Sequence, residues 1–484
     1  MNADYEIKLR RSAFVVGESL VLEQSLSNDG SQPLIVPNPE INANWQPVYT
    51  LKGPSGSRSI DFRALVYGAR QHPPDPASAE LMTVAPGTRW SGAMLLDSFF
   101  KPTEPGTYEV SAQLNWSGTT LQSNVVAFTL TQPTVESLSV GVVTSQQGTE
   151  FVLLNSHTGG RIFRRTIFME RPDLGEASIS SAVDVTPAPP PGIEQLLSPT
   201  SRHGRGMDEC WIYRSGSTLT VQSVTRQTQQ LSIADAHLVD PPWIAPDEAV
   251  RIAIVDAARQ RLEVIRAERQ LGPKSAPIAV VAGLALPHPP EYVSAALRRT
   301  DASGGARITL GRTEGKNLVL ESVNFAHDKN LSLTNGLRIP NLAFHSDSPL
   351  SSQMDGQGNL HVWFVGLGQG QLTQPSLVHA ILPDTPGAAG TFTISPIQAA
   401  SPVHRARTKA FVSESAERVS ALVRLVDGTL LYVRPNGKAV PLRAAPAVGS
   451  VMELVVTGDN SFLLTFEDGK FEIESLEELA ASPG

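Results

Sequence analysis

"MDGQGNLHVWFVG", residues 354–366, holds an acid, three glycines, two amides, a histidine and a tryptophan in thirteen positions. As a calcium loop it would need oxygen ligands at alternate positions, a glycine at the sixth and a bidentate glutamate at the twelfth. Counted from Asp355, the third residue is Gln357, the sixth Leu360 and the twelfth Gly366, so the pattern fails. The glycines of "GLGQGQ" (366–371) miss the dinucleotide spacing, and a proline follows where a helix would have to begin. What remains is a turn. Asp-Gly supplies the backbone freedom of a tight hairpin, and the side chains of Asp355 and Asn359 can close it.

The same turn-then-strand pattern recurs. Apolar runs after short polar turns stand at 145–154, 204–213, 245–254, 301–310, 355–364, 414–423 and 457–466, and most lead through a second turn into another strand, as in "RSGSTLTV", "TEGKNLVL", "VDGTLLYV" and "EDGKFEIE". Runs such as "ESLSVGVV", "EYVSAALRR", "PNLAFHS" and "SVMELVV" precede the turns as inner strands; "AVDVT", "IAVVAGLAL", "TFTISPI" and "KAVPLR" follow as outer ones. The middle strands "FVLL", "IAIV" and "VWFV" are apolar throughout, as strands buried on both faces must be. A repeat of about 50 residues with several short strands per unit resembles a β-propeller, here of seven blades, over 134–484. No unit carries the Trp-Asp dipeptide of WD40 repeats or the aspartate box of sialidases, so the resemblance is to the architecture and to no particular family. The last unit lacks a fourth strand, and "TQPTVES" (131–137) is expected to supply it, leaving the C-terminal tail dispensable.

Residues 1–133 follow another rule. "YEIKLRR", "SLVLEQSLSN", "PVYTLKGPSG", "GTYEVSAQLNW" and "NVVAFTLTQ" are strands split by glycine, proline and asparagine turns. "EPGTYEV" resembles the tyrosine corner of immunoglobulin-like sandwiches, with the Tyr108 hydroxyl placed to bond the preceding backbone. The expected chain is therefore all-β, an immunoglobulin-like sandwich followed by a propeller. The only helical pattern is "SLEELAAS" near the C-terminus.

Composition bounds the function. With 41% hydrophobic and 18% charged residues the chain is an ordinary globular one, and its formal charge of −8 argues against nucleic acid as a partner. No stretch approaches the roughly 20 apolar residues of a membrane span, and no apolar signal region opens the sequence, so the expected location is cytoplasmic. Arginine outnumbers lysine, which points to a GC-rich bacterial genome. The one cysteine, Cys210, has no partner in the chain for a disulfide and reads as a buried thiol of a middle strand. There is no H-E-x-x-H, no C-x-x-C and no nucleophile elbow, so no metal, cofactor or catalytic residue is assigned. His361 reads as a histidine bonded within the sheets.

The connections into the inner strands are rich in proline, aromatic and imidazole groups: "LVDPPWIAP", "LPHPPEY", "RIPNLAFHSDS" and "AASPVHRART". They are expected to gather at one mouth of the ring and present Trp243, His288, Tyr292, His345, His404, Arg405 and Arg407 to a partner. Stiff loops lose little entropy on docking. Arg202, His203 and Arg205 mark a basic hairpin on the other side. The reading that follows is a non-enzymatic binding or scaffold protein for a protein partner. A carbohydrate-active or other hydrolytic propeller, or a sugar-binding lectin, are the alternatives; an acidic pair inside the channel would favour the enzyme.

Overall fold

The computed structural model is all-β, apart from two short helices among the described residues, Asp97–Phe100 and Leu476–Ala481. The structure describes residues 3–481 except 38–46, 62–80, 117–118, 145–149, 159–160, 172–175, 187–191, 200–209, 224–226, 270–274, 298–304, 327–328, 369–373, 413–416, 435–436, 443–450, 458–459 and the single positions 235, 246, 248, 257, 259, 346, 386, 400 and 468. The chain divides into two compact units. One comprises 1–134 with 181–184, the other 135–180 with 185–484.

In the first unit, Ala3–Leu9, Val21–Asn28 and Arg89–Leu95 form one sheet. Ala13–Val15, Val126–Thr131, Gly106–Trp116, Val48–Gly53 and Gly56–Asp61 form the second, with Thr119–Gln122 beside Gly106–Trp116. Side chains alternate sides along a strand, so Tyr5, Ile7 and Leu9 from one sheet meet Tyr49, Leu51, Tyr108, Val110 and Phe128 from the other in one apolar core. Inside it the Tyr5 and Tyr49 hydroxyls each donate to Gln24 Oε1 at 2.8 Å. The Tyr108 hydroxyl donates to the Glu104 carbonyl at 2.8 Å, the bond its sequence context implied. Gly53 lies under the Tyr108 ring, where a Cβ would come within 2.2 Å of it.

Among the described residues the second unit is a succession of seven antiparallel sheets in chain order. The first holds Ser137–Thr144, Glu150–Thr158, Arg161–Arg171 and Glu176–Ile179; the second Gln195–Leu197, Cys210–Ser215, Thr218–Ser223 and Thr228–Ser232. In the third, His237–Leu238 and Trp243–Ile244 share the edge of Val250–Asp256, followed by Arg261–Ala267 and Ala279–Ala285. Tyr292–Leu297, Ala306–Glu314, Asn317–Ala326 and Lys329–Pro340 make the fourth. Leu342–Phe344 and Ser351–Met354 share the edge of Leu360–Gly368 in the fifth, with Pro375–Leu382 and Thr391–Pro396 outside. Val403–Val412, Glu417–Leu425, Leu430–Val433 and Ala439–Pro441 form the sixth, and Val451–Thr457, Asn460–Glu467 and Lys470–Ser475 the seventh.

Each sheet shares an apolar core with the next: Ile162 with Trp211, Ile212 with Ile252, Val255 with Ile308, Leu320 with Val362, Val365 with Val423, and Leu422 with Leu463. The seventh then packs on the first, through Val455, Phe462 and Leu464 against Val152, Leu154 and Ile167. The cycle closes by side-chain packing, and this corrects the expected strand exchange. Among the described residues Lys470–Ser475 pairs with Asn460–Glu467 alone, and Leu476–Ala481 packs beside it with Leu476 wholly buried. The outer strands of the first sheet are Glu176–Ile179 and, from the expected "AVDVT", the short Val183–Asp184, both paired with Arg161–Arg171. Cys210 is buried, as its apolar strand implied.

Candidate functional site: a charged cluster shared by five sheets

Val403–Val412 begins the sixth sheet with a register shift between Val403 and Arg405, then alternates. Ala406, Thr408 and Ala410 are buried, which turns Arg405, Arg407 and Lys409 together to the opposite face. Glu453, on the neighbouring first strand of the seventh sheet, lies 3.9 Å from Arg407 Nε and 4.0 Å from Lys409 Nζ. Asp240, in the turn between the two short strands of the third sheet, interacts electrostatically with Lys409, Glu453 and Arg407. The third and seventh sheets are not neighbours in the cycle. Their charges therefore meet across its inner side.

The cluster continues toward the fourth and fifth sheets. The Tyr292 hydroxyl donates to the His345 carbonyl at 3.3 Å, and His345 Nε2 lies 3.0 Å from the Val403 carbonyl, two residues before Arg405. The Asp347 N–H donates to His345 Nδ1 at 3.3 Å, and Asp347 faces Arg405 electrostatically. Buried Arg424 adds a fourth cation. Arg405 itself is exposed and has no hydrogen bond or ion pair within 4.0 Å among the described residues.

Enclosure shapes the ionisation of the cluster. Asp240 is exposed by surface area, yet protein crowds around it on the inner side; the loss of water pushes its carboxyl above the usual range, Lys409 and Arg407 oppose this, and Glu453 adds to it. Arg405 is lowered by the same loss of water and by Arg407 and Arg424, against Asp347 and Glu453, but an arginine remains a cation. Four cations (Arg405, Arg407, Lys409, Arg424) thus face three acids (Asp240, Asp347, Glu453), one of which resists ionising. In a chain of net charge −8 this is a locally cationic place.

Of the residues singled out in the sequence, Tyr292, His345, Arg405 and Arg407 come together here. Two of the expected surface groups are inside the protein, and this is a correction. Trp243 is 1% exposed, edge-on to Phe325 at 6.0 Å, because the core between the third and fourth sheets takes the largest apolar ring in reach. His345 is 4% exposed and acts through its bonds to backbone. His288 and His404 are exposed, and no hydrogen bond or ion pair among the described residues ties either to the cluster. Arg202, His203 and Arg205 lie outside the described residues. Sequence reasoning missed Lys409 although "RARTK" shows its period-two spacing; Asp240, Asp347 and Glu453 carry no local signal.

The stretch 354–366 forms a second polar group. Asp355 Oδ1 accepts the N–H of Gln357 at 2.9 Å and of Asn359 at 2.8 Å, and Oδ2 accepts Asn359 Nδ2 at 2.8 Å, so the turn reading holds. His361 sits 3.3 Å from Asp355 Oδ2 through Nε2 and 3.0 Å from His379 Nε2 through Nδ1. Trp363 stacks flat on His379 at 3.6 Å. Burial disfavours the charge of Asp355, but the bonds from Asn359, His361 and the turn backbone outweigh it and hold its carboxyl below the usual range. Burial and the neighbouring His361 push His379 down to about 4. Among the described residues no three His, Cys, Asp or Glu side chains are arranged to hold a metal ion.

No protein-family profile and no curated protein matches the chain. Solved structures do. AofleA from Arthrobotrys oligospora is 12% identical with a TM-score of 0.39, covering 70% of this chain and 86% of its own. A fungal lectin from Aleuria aurantia, a six-bladed β-propeller that recognises fucose, is 11% identical at 0.34, covering 70% and 94%. BBS1N, solved in complex with ARL6DN, is 12% identical at 0.37, covering 71% and 93%. The likeness is one of fold. No helix among the described residues is long and apolar enough to cross a membrane.

Proposed function

We propose that the chain is a non-enzymatic binding protein, built as an immunoglobulin-like sandwich over 1–133 and a seven-bladed β-propeller over 134–484. It docks a protein partner where Tyr292, His345, Arg405 and Arg407 meet. The guanidinium of Arg405, exposed and without a hydrogen bond or ion pair among the described residues, carries this reading: its donors are open to a ligand. The cyclic packing of seven sheets and the Tyr108 bond support the two architectures. Full chain bearing Arg405→Glu, used as bait in native extract beside the wild type, should lose a defined protein band. Equal capture by both baits would reject the site.

One observation favours a second reading, a hydrolytic propeller. Asp240, whose carboxyl is raised by the loss of water, and Glu453, 3.9 Å from Arg407 and 4.0 Å from Lys409, put two carboxyl groups in different surroundings on the inner side, a pairing that acid–base hydrolysis uses. Release of reducing ends from a glycan panel by the wild type, abolished in Asp240→Asn, would establish it over the binding reading.

A further inference from the structure

We propose that the group received by this site is a carboxylate, gripped by Arg405 and Arg407. The inference rests on the docking reading and names the chemistry of what docks.

Three observations lead to it. Arg405, Arg407 and Lys409 stand at alternate positions of one strand, so their donors form a row on one face. Arg407 and Lys409 already share Glu453 at 3.9 and 4.0 Å, beyond hydrogen-bond length, and the Arg407 Nε–H is buried without an acceptor. The row therefore has unused donors, which a planar two-oxygen anion suits. Four cations face three acids, Asp240, Asp347 and Glu453, so a singly charged anion completes the balance while further negative charge meets those carboxyl groups.

Asp240 belongs to the same cluster: Lys409 and Arg407 of the sixth sheet and Glu453 of the seventh face it, and Ala295 of the fourth donates its N–H to the Asp240 carbonyl at 3.1 Å.

The test is isothermal titration of the full chain with two carboxylates: succinate, a free organic acid, and an acetylated, amidated Gly-Glu-Gly peptide, the form a protein partner would present. The Gly-Gln-Gly peptide and inorganic phosphate are the controls. The proposal expects saturable binding of at least one carboxylate, about tenfold weaker in Arg405→Gln. No binding of the glutamine peptide is expected, and phosphate should bind more weakly than the carboxylate. Binding by the peptide assigns the carboxylate to a protein, and binding by succinate alone to a free acid. Absent saturation, equal affinity in Arg405→Gln, or phosphate binding as tightly would overturn the proposal. If the probes fail while Arg405→Glu still loses its protein band, the carboxylate chemistry is wrong and the docking surface stands. If the probes bind and capture is unchanged, the docking reading fails instead.

Discussion

The fifth sheet and the inner side of the cycle each gather charged and titratable groups, and they do so in opposite ways. Around the Asp355 turn the polar groups answer one another: Asp355 takes bonds from its own loop and from His361, and His361 meets His379. Arg307 reaches across from the fourth sheet to the carbonyls of Gly358, Leu382 and Pro383, and bonds Ser322 within its own sheet. In the inner cluster Arg405 has no partner within bonding distance among the described residues, and Arg407 and Lys409 stand off Glu453. A satisfied polar group stabilises the fold, whereas one whose donors the fold leaves unused is available to a ligand. Substitutions in the two places should therefore read out on different instruments.

The largest effect belongs to Arg307. It is 1% exposed, and its bonds tie the second strand of the fourth sheet to two loops of the fifth. Arg307→Ala removes those donors from buried carbonyls and opens a cavity, and should cost about 3–5 kcal/mol in urea denaturation. A loss below about 1 kcal/mol would mean that water serves these carbonyls equally well, and the contrast with the inner cluster would collapse.

Next comes the C-terminal helix, where sequence and structure part. The expectation that residues after 476 are dispensable came from reading the seventh sheet locally, as three strands in search of a fourth. The structure buries Leu476, packs Leu479 and Ala480 on the core between the sixth and seventh sheets, and lets Glu477 accept from Tyr432 and Arg434 at 3.1 and 2.7 Å. Removing residues 476–484 should cost about 3 kcal/mol, and a neutral deletion would restore the strand-exchange picture. The difference shows what was legible. Turns such as Asp355–Asn359, the apolar middle strands and the Tyr108 corner are written within a few residues, and each was readable. Lys409 was readable too, in the alternation of "RARTK". Asp240, Asp347 and Glu453 were not, because sheets distant in the chain bring them together. Trp243 was misplaced because its proline-rich surroundings suggest a surface loop, while the packing of Phe325 and Val255 against it is a long-range fact.

A smaller effect separates the clusters by pH. The unfolded chain protonates His379 near pH 6.5, but the folded protein holds it neutral down to about 4. Across that window the unfolded state binds more protons, so stability is fully present above it, declines as pH falls and levels off below about 4. Asp355 acts in the same direction lower down, since its depressed carboxyl stabilises the fold above the ordinary aspartate value and loses that contribution as pH falls through its folded one. His379→Gln should remove the upper part of the decline, narrowing the difference in urea stability between pH 7.5 and 5.0 by about 1 kcal/mol. An unchanged difference would place the acid sensitivity elsewhere.

The smallest effect is the most telling for the inner cluster. Arg405→Gln deletes a cation that bonds to nothing among the described residues, that Arg407 and Arg424 repel, and that only Asp347 and Glu453 favour electrostatically. These opposed contributions nearly cancel, and the glutamine keeps much of the side chain's volume, so urea stability should change by no more than about 0.5 kcal/mol in either direction. Arg307 and Arg405 are both arginines beside acidic neighbours, and sequence alone does not distinguish them; a difference of several kcal/mol between their replacements would come entirely from whether the fold has already used their donors. Destabilisation by Arg405→Gln of more than about 1 kcal/mol would show that the fold does depend on this guanidinium, and the site would lose the open donors on which partner recognition rests.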